Sequence, residues 1–219
     1  MTLRPLAALA SLFTIGAAGC HRPPPVLGCM ETFAGDPALP IEAVVTLDIN
    51  GTMVDVTDGE AVDVLPPPQG GFVVYGAVRV RNVDPCGVLL KGAFRDAMPP
   101  GAVLSDFDRR SADLHARGDG WYEPPSIDFA SVPNIPVCPD NTGGSLLGKK
   151  VLLEINLTDR EKRSVTVSQA VTLRCPPGAC FAECSCICGP GYQPDKCSRL
   201  DGGVLDGAIS DGGGSACVR

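Results

Sequence analysis

The sequence predicts an all-β protein, most simply a single β-sandwich. Three observations lead to this prediction. Several short segments alternate apolar with polar residues, as half-buried strands do. The chain holds 21 Pro and 26 Gly, which separate these segments by turns. Beyond the first 20 residues, no segment shows the 3.6-residue spacing of an amphipathic helix. A body of about 150 residues would bury roughly two-thirds of its unfolded surface, which is enough for one core.

The first strands are predicted from alternating apolar residues and tight-turn dipeptides. Val45, Leu47 and Ile49 lie on one side of an extended segment. Asn50-Gly51 follows it, and Asp58-Gly59 follows the next pair of valines. Both dipeptides favour the positive φ of a hairpin turn. The pattern predicts a meander of three strands at residues 45–50, 54–56 and 62–64, which the prolines at 66–68 end.

The later strands include the strongest signals in the chain. Residues 72–83 form the longest candidate strand, with Arg79 and Arg81 interleaved between valines, and residues 88–94 are its expected partner. Residues 97–145 are rich in proline and predict one or two short strands with long loops. The clearest hairpin pairs two alternating segments around a charged turn; it comprises residues 150–157, 159–163 and 164–174.

The first 19 residues have the pattern of a secretory signal peptide. Arg4 is their only charged residue, an apolar run covers residues 6–15, and small residues fill positions 16–19. A membrane-spanning helix needs about 20 apolar residues, which is far more than this run provides. The pattern therefore predicts export from the cytoplasm.

The end of this signal, Ala17-Ala18-Gly19-Cys20, resembles the lipobox of bacterial lipoproteins, with Ala17 where the family usually has Leu. The resemblance implies cleavage before Cys20 and acylation of that cysteine, so that the protein is attached to a membrane through its lipid. Residues 20–28, rich in proline, would form an extended tether. His21 stands where an Asp retains some lipoproteins at the inner membrane. The expected location is therefore the cell envelope, at the outer membrane, facing the periplasm or the cell surface.

The net charge is acidic, which argues against a nucleic-acid partner. The chain carries 18 Lys and Arg against 25 Asp and Glu, a formal charge of -7, and cleavage before Cys20 would bring it to -8. No Lys or Arg lies between Arg22 and Arg79, whereas eight acidic residues do. This segment is interpreted as a solvated face, with a surface for divalent cations or a basic partner as the alternative.

Cysteine parity agrees with export. Eleven cysteines less an acylated Cys20 leave ten, which an oxidising compartment would join as five disulfides. Cys86 and Cys138 both lie in turn-like segments, so the expected pairs in the body are Cys86–Cys138 and Cys29–Cys175. The ten candidates are Cys29, Cys86, Cys138, Cys175, Cys180, Cys184, Cys186, Cys188, Cys197 and Cys217.

The C-terminal part is short, rich in cysteine and then rich in glycine. The stretch ECSCICGPGYQPDKC, residues 183–197, resembles the second half of an epidermal growth factor-like module, C-x-C-x-x-G-Y-x4-C. Cys184 and Cys186 stand closer together than the third and fourth cysteines of that family. The resemblance implies a Cys188–Cys197 disulfide. We expect a disulfide knot at residues 176–200 and a flexible tail at residues 201–219.

Two further resemblances concern the body. The hairpin at residues 150–174 resembles the last two strands of bacterial immunoglobulin-like and cadherin-like domains. The whole layout resembles uncharacterised Gram-negative lipoproteins that join a sandwich to a CxCxCxxGY tail. Together they imply a single immunoglobulin-like β-sandwich at residues 29–175 with a small disulfide-rich C-terminal tail.

The residues give little support to catalysis, and neither a cofactor nor a metal is expected. His21 lies in the tether, His115 is interpreted as a surface histidine, and no phosphate-binding glycine loop occurs. The predicted role is non-enzymatic, either structural or in surface binding, with Trp121 and Tyr122 as the contact surface for an unknown protein or carbohydrate. One alternative is a hydrolase that uses Asp106 or Asp108, for which a deep pocket and a raised pKa would be needed; without that role, residues 106–110 are interpreted as a charged loop. Another is a metal-binding Cys-rich tail.

Overall fold

The structure is a computed structural model of the 219-residue chain. It describes residues 29, 33–49, 52–67, 70–98, 101–110, 113–126, 130–140, 144–178, 180–190 and 197. Within these ranges, no helix has both the length and the apolar character needed to cross a membrane.

Eleven strands and one short helix make up the described chain. In order they are β1 (Glu42–Ile49), β2 (Thr52–Asp55), β3 (Glu60–Asp63), β4 (Phe72–Arg81), β5 (Leu89–Asp96), β6 (Val103–Arg110), β7 (His115–Ala116), β8 (Tyr122–Glu123), β9 (Asn134–Cys138), β10 (Lys150–Thr158), β11 (Ser164–Arg174) and α1 (Cys180–Ile187). The predicted all-β class with a disulfide-rich C-terminal region is confirmed.

The strands form two sheets that share one core. The first sheet has the order β2-β1-β4-β8-β7, with β9 also paired to β4, and the second has the order β3-β11-β10-β5-β6. The β11-β10-β5 and β1-β4-β9 orders correspond to the G-F-C and A-B-E strands of an immunoglobulin-like sandwich. Buried residues from both sheets belong to a single hydrophobic cluster. The predicted hairpin of β10 and β11 is confirmed, with register from Lys150↔Thr172 to Thr158↔Ser164.

The first strand of the sandwich is split between the two sheets. β1 pairs with β4 as far as Leu47↔Gly76, after which the chain makes the β1–β2 hairpin. It then crosses to the second sheet, where β3 runs parallel to β11. Just after β3, Leu65 returns to β4 and exchanges both backbone hydrogen bonds with Val73, at 2.8 and 2.9 Å. The predicted meander is therefore wrong, because β3 leaves the hairpin of β1 and β2 instead of pairing with it.

Glycine allows the two sheets to approach closely. A Cβ atom added at Gly76 in β4 would lie 2.7 Å from Cδ1 of Ile155, a fully buried residue of β10. At Gly92 in β5, an added Cβ would lie 2.7 Å from Cδ1 of Ile135 in β9. Close-packed interiors leave no room for an extra carbon at such distances. These two positions therefore set the spacing of the sheets at the centre of the core.

The end of the sandwich nearest the N-terminus is held by buried charges. We call it the proximal pole; it comprises residues 33–40, 82–87 and 159–163. The carboxylate of Asp159 is fully buried and accepts hydrogen bonds from Arg163 Nη2 at 2.8 Å and from the Arg163 backbone N–H at 2.9 Å. Arg163 also donates to the carbonyl of Asn82 and lies 4.6 Å from the centroid of the Phe33 ring. This turn therefore ties the N-terminal segment to both sheets.

The opposite end, the distal pole, carries the C-terminal region. β4 begins here, β11 ends here, and α1 follows at once. Cys184 and Cys188, four residues apart and so on one face of the helical chain, are both buried in the main core. The Cys-rich region therefore packs on the sandwich and extends its core. The sequence does not predict α1, because eight residues are too few for a clear periodic signal.

Two further expectations need correction. The segment around Asp106 and Asp108, interpreted as a charged loop if not catalytic, is the edge strand β6, antiparallel to β5. The 72–83 strand ends at Arg81, since Asn82 turns the chain with a φ of 56°. The first error arises because an edge strand carries charges that weaken the apolar alternation, and the second because the apolar Val83 extends the apparent strand past the turn at Asn82.

Replacing Gly76 with Ala should destabilise the sandwich by about 1–3 kcal/mol through overpacking against Ile155. Ile155→Val alone should cost about 0.5–1.5 kcal/mol, as a lost methyl group in a core. The double variant should lose less unfolding free energy than the two single variants lose together, because the valine lacks the clashing Cδ1. Urea unfolding of the oxidised protein measures all three free energies. Strict additivity would contradict the close approach.

Candidate functional site

The predicted contact residue Trp121 lies on the outer side of the first sheet, between two arginines of β4. The guanidinium carbons of Arg79 and Arg81 lie 5.1 and 5.0 Å from the centroid of its ring. These are cation–π distances, and Arg is the cation that most often makes such contacts. We refer to Trp121, Arg79 and Arg81, with their bonded acidic partners, as the Trp121 patch. Trp121 itself is half-buried.

Acidic residues on neighbouring strands hold both arginines. Arg79 Nη2 donates to Asp55 Oδ2 of β2 at 2.6 Å. Arg81 Nε donates to Glu42 Oε2 of β1 at 2.8 Å. Asp55 ends β2 opposite Thr46, and Glu42 begins β1 opposite Arg81, so the two ion pairs extend the patch across three neighbouring strands. Partly exposed pairs of this kind add up to about 1 kcal/mol each, and their main effect here is to orient the guanidinium groups.

The loop that presents Trp121 is a tight turn between β7 and β8. The Arg117 backbone N–H donates to the carbonyl of Trp121 at 2.9 Å, and the Trp121 N–H donates to Asp119 Oδ1 at 3.1 Å. Arg117 also pairs with Glu123 at 2.7 Å, and this hydrogen bond is the main cause that raises the pKa of its guanidinium. Tyr122 is opposite Val80 of β4 and is half-buried. The two predicted contact residues thus have different neighbours.

A second candidate is a notch where the first strand is split. It is a cavity of about 200 Å³ at the distal pole, between the end of β1, β3 and the start of β4. Its apolar wall includes Leu47, Val62 and Val74, which are nearly fully buried, together with Ile49, which is 43% exposed at the rim. The split strand explains the cavity, because β1 has left β4 before Leu65 arrives.

Three charged residues line the same notch. Arg174 Nε donates to Asp63 Oδ1 at 2.5 Å, and this bond is the first cause that raises the pKa of Arg174. Oε2 of Glu60 accepts from the Thr57 backbone N–H at 2.9 Å and from its hydroxyl at 3.0 Å. Among the described residues, no Lys or Arg lies within ion-pair distance of Glu60. The lining therefore has one carboxylate more than it has cations.

The carboxylates considered for hydrolysis lie on the outer side of β6. Lys91 Nζ lies 3.4 Å from Asp106 and 3.5 Å from Asp108, and both side chains are exposed, by 41% and 62%. The hydrogen bond to Asp106 and then the charge of Asp108 raise the pKa of Lys91. Side chains this open to solvent do not have the enclosed surroundings that a general acid would require. His115 is exposed on β7, where it lies opposite Glu123 of β8 in the strand register.

The disulfides join different cysteines from those expected. The pairs are Cys29–Cys86, Cys138–Cys188, Cys175–Cys184 and Cys186–Cys197, with Cα–Cα separations of 5.1–5.7 Å. Cys180 is disulfide-bonded as well. The predicted pairs Cys86–Cys138 and Cys29–Cys175 are wrong, because β4 separates the proximal from the distal pole by roughly 30 Å. The predicted Cys188–Cys197 pair is wrong because Cys188 turns into the core, toward Cys138.

Within the described part of the chain, two groups of side chains have the spacing of metal ligands. Cys175, Cys184 and Cys188 form one, and Cys29, Cys86 and Asp113 form the other, with ligand atoms within 4.8 Å of one another. All five of these cysteines belong to disulfides, and zinc binds thiolates. Disulfides join two members of each group, while Cys188 follows Cys184 by one helical turn and Asp113 pairs with Cys86 through an isolated β-bridge.

Several predictions fall outside the described residues. They are the signal peptide, the acylated Cys20, His21 in the tether, the disulfide candidate Cys217 and the flexible tail at residues 201–219. They stay predictions from the sequence.

The sequence predicts neither the partners of Trp121 nor the notch. Arg79 and Arg81 were visible as two cations spaced by two in a Val-rich strand, which places them on one face of a sheet. Nothing in the sequence indicated that Trp121 would reach them from a loop 40 residues later. The notch depends on a crossing between sheets, which local patterns do not encode.

The sequence matches no protein-family model and no curated protein.

Because Trp121 is the only tryptophan, its fluorescence reports directly on the patch. Replacing Arg79 and Arg81 together with Ala should red-shift its emission and increase quenching by acrylamide, because the ring loses both covering groups. The free energy of unfolding should fall by about 1–2 kcal/mol. Lys91→Ala is the matched control, since Lys91 also pairs with two carboxylates but belongs to the other sheet. If the double variant left both emission and quenching unchanged, the cation–π arrangement would be wrong.

Proposed function

We propose that this protein is a lipid-anchored envelope lipoprotein whose sandwich has a binding role. The observation that supports this most is the state of the cysteines: all nine in the described part of the chain are disulfide-bonded. Disulfides in such number persist in oxidising compartments outside the cytoplasm. Export agrees with the signal-like N-terminus. Acylation at Cys20 would then account for one of the two remaining cysteines.

The binding role is supported by the composition of the Trp121 patch. Trp, Tyr and Arg are the residues most enriched at the centres of protein interfaces, and here Trp121, Arg79 and Arg81 lie together on one sheet face. Two guanidinium groups already lie near the ring, which leaves less of it open for stacking on a sugar. The patch therefore favours a protein ligand over a carbohydrate. The exposure of Asp106 and Asp108 and their shared pairing with Lys91 favour binding over the hydrolase alternative.

The anchor is tested by the intact mass of the protein isolated from its native envelope, alkylated without a reductant. The mass should begin at Cys20, include acyl chains and show no alkylation. Cys20→Ser should remove the acyl mass. Cys29→Ser is the control, because it should keep the acyl chains and gain one alkylated thiol at the released Cys86. An unacylated wild-type protein would overturn the lipoprotein proposal, and several alkylated cysteines would overturn the oxidised state.

The contact surface is tested by photo-crosslinking in intact cells. A photoreactive p-benzoylphenylalanine in place of His115, which pairs with Glu123 beside the patch, should give a discrete protein adduct. The same residue in place of Glu161, exposed on the β10–β11 turn, is the control. Arg79→Ala with Arg81→Ala should remove the adduct. An adduct that both positions form equally, or that survives the double substitution, would count against a contact at the patch.

A further inference from the structure

The notch at the split first strand has the size of a single side chain. An engineered cavity of roughly 150 Å³ holds one benzene molecule, whereas pockets for whole small-molecule ligands measure about 300–1,000 Å³. The notch, at about 200 Å³, lies between these values and nearer the first. A group the size of a Leu, Ile or Phe side chain would fill it.

The walls of the notch suit an apolar group. Leu47, Val62 and Val74 have exposures of 6%, 6% and 2%. They form the inner surface, so an entering side chain would meet the main core. At the rim, Ile49 is 43% exposed and Val54 of the adjacent β2 is 39% exposed. Two large apolar side chains beside an apolar cavity would both be covered by a polypeptide that lay across it.

The charge at the rim is complementary to a cation. Arg174, the one cation of the lining, is already bonded to Asp63 at 2.5 Å. Glu60 is fixed by the two hydrogen bonds from Thr57 and has no cationic partner among the described residues. Arg79 and Arg81 lie toward the other end of β4, where they are bonded to Asp55 and Glu42. Glu60 therefore remains available to a Lys or Arg brought by a ligand.

We propose that the notch receives one large apolar side chain of an extended cationic peptide segment, with a flanking Lys or Arg paired to Glu60. Size selects a single side chain over a whole drug-sized ligand, and charge selects a basic segment over an acidic one. The site is separate from the Trp121 patch and does not depend on acylation. Failure of this proposal would leave the proposed envelope anchor and patch contact untouched.

The test is a titration of the full-length protein in detergent, followed by methyl NMR signals of Ile49 and Leu65. The probe is the acetylated, amidated peptide Thr-Lys-Thr-Leu-Thr-Lys-Thr. It should shift both signals in a saturable way. A peptide with Ser in place of its Leu should bind about tenfold more weakly or worse, and a peptide with Glu in place of both Lys residues should not bind.

Three variants separate this site from general electrostatic attraction. Glu60→Gln keeps a hydrogen-bond acceptor and removes the charge, so it should weaken the probe about 3–5-fold. Glu161→Gln makes the same net charge change at the proximal pole and should leave the affinity unchanged. Ala61→Phe, at an exposed position on the rim, should block the notch without disturbing the core. The proposal is overturned by unshifted Ile49 and Leu65 signals, by equal effects of the two Glu substitutions, or by binding that survives Ala61→Phe.

Discussion

The split of the first strand is the constraint on which the rest of this structure depends. β1 closes one side of the first sheet by pairing with β4, and β3 closes the second sheet by pairing with β11. One continuous segment thus forms one edge of each sheet, as the four-residue strands β2 and β3, and such short edge strands offer little backbone for pairing with other chains. The arrangement requires a crossing between sheets at residues 56–59, where the Val56 N–H still bonds to β1 and the Gly59 N–H already bonds to β11. The notch is the space that this crossing leaves beside β4.

The two poles are stabilised by different chemistry. At the proximal pole, buried Asp159 and Asp84 are paired with arginines of the same turn, Arg163 and Arg160, and Cys29–Cys86 joins the N-terminal segment to the β4–β5 connection. Breaking one partner of such a buried pair is costly, because the remaining charge stays buried. At the distal pole, Cys138–Cys188 and Cys175–Cys184 fasten α1 to the ends of β9 and β11. These disulfides close loops of 50 and 9 residues, and each would stabilise the fold by about 2–4 kcal/mol.

Local patterns in the sequence predicted the elements better than their assembly. The β10–β11 hairpin was predictable because its alternation and its turn are both local, and its register is fixed by a buried face. The β1–β2 hairpin was predictable for the same reason: Ile49 pairs with Thr52 across the expected two-residue connection. The crossing of β3 was not, since Val62 and Val64 show the same alternation in either sheet. Disulfide pairing was out of reach for a related reason. Cys86 and Cys138 both lie in turn-like segments, but only the strand directions show that these turns lie at opposite ends.

Strand directions also decide which surfaces a lipid-anchored protein would turn away from its membrane. Cys29 lies at the proximal pole, bonded to Cys86, and follows Cys20 by only nine residues. Even a fully extended linker of that length reaches no more than about 30 Å. An acylated Cys20 would therefore keep the proximal pole near the bilayer and direct the distal pole outward.

The distal pole holds the notch and the exposed apolar side chains of Ile49, Met98 and Phe181. Single exposed apolar residues are common on protein surfaces, so it is the notch beside Ile49 that distinguishes this end. With acylation at Cys20, as proposed, this end remote from Cys29 would be the one that a partner from another surface meets first.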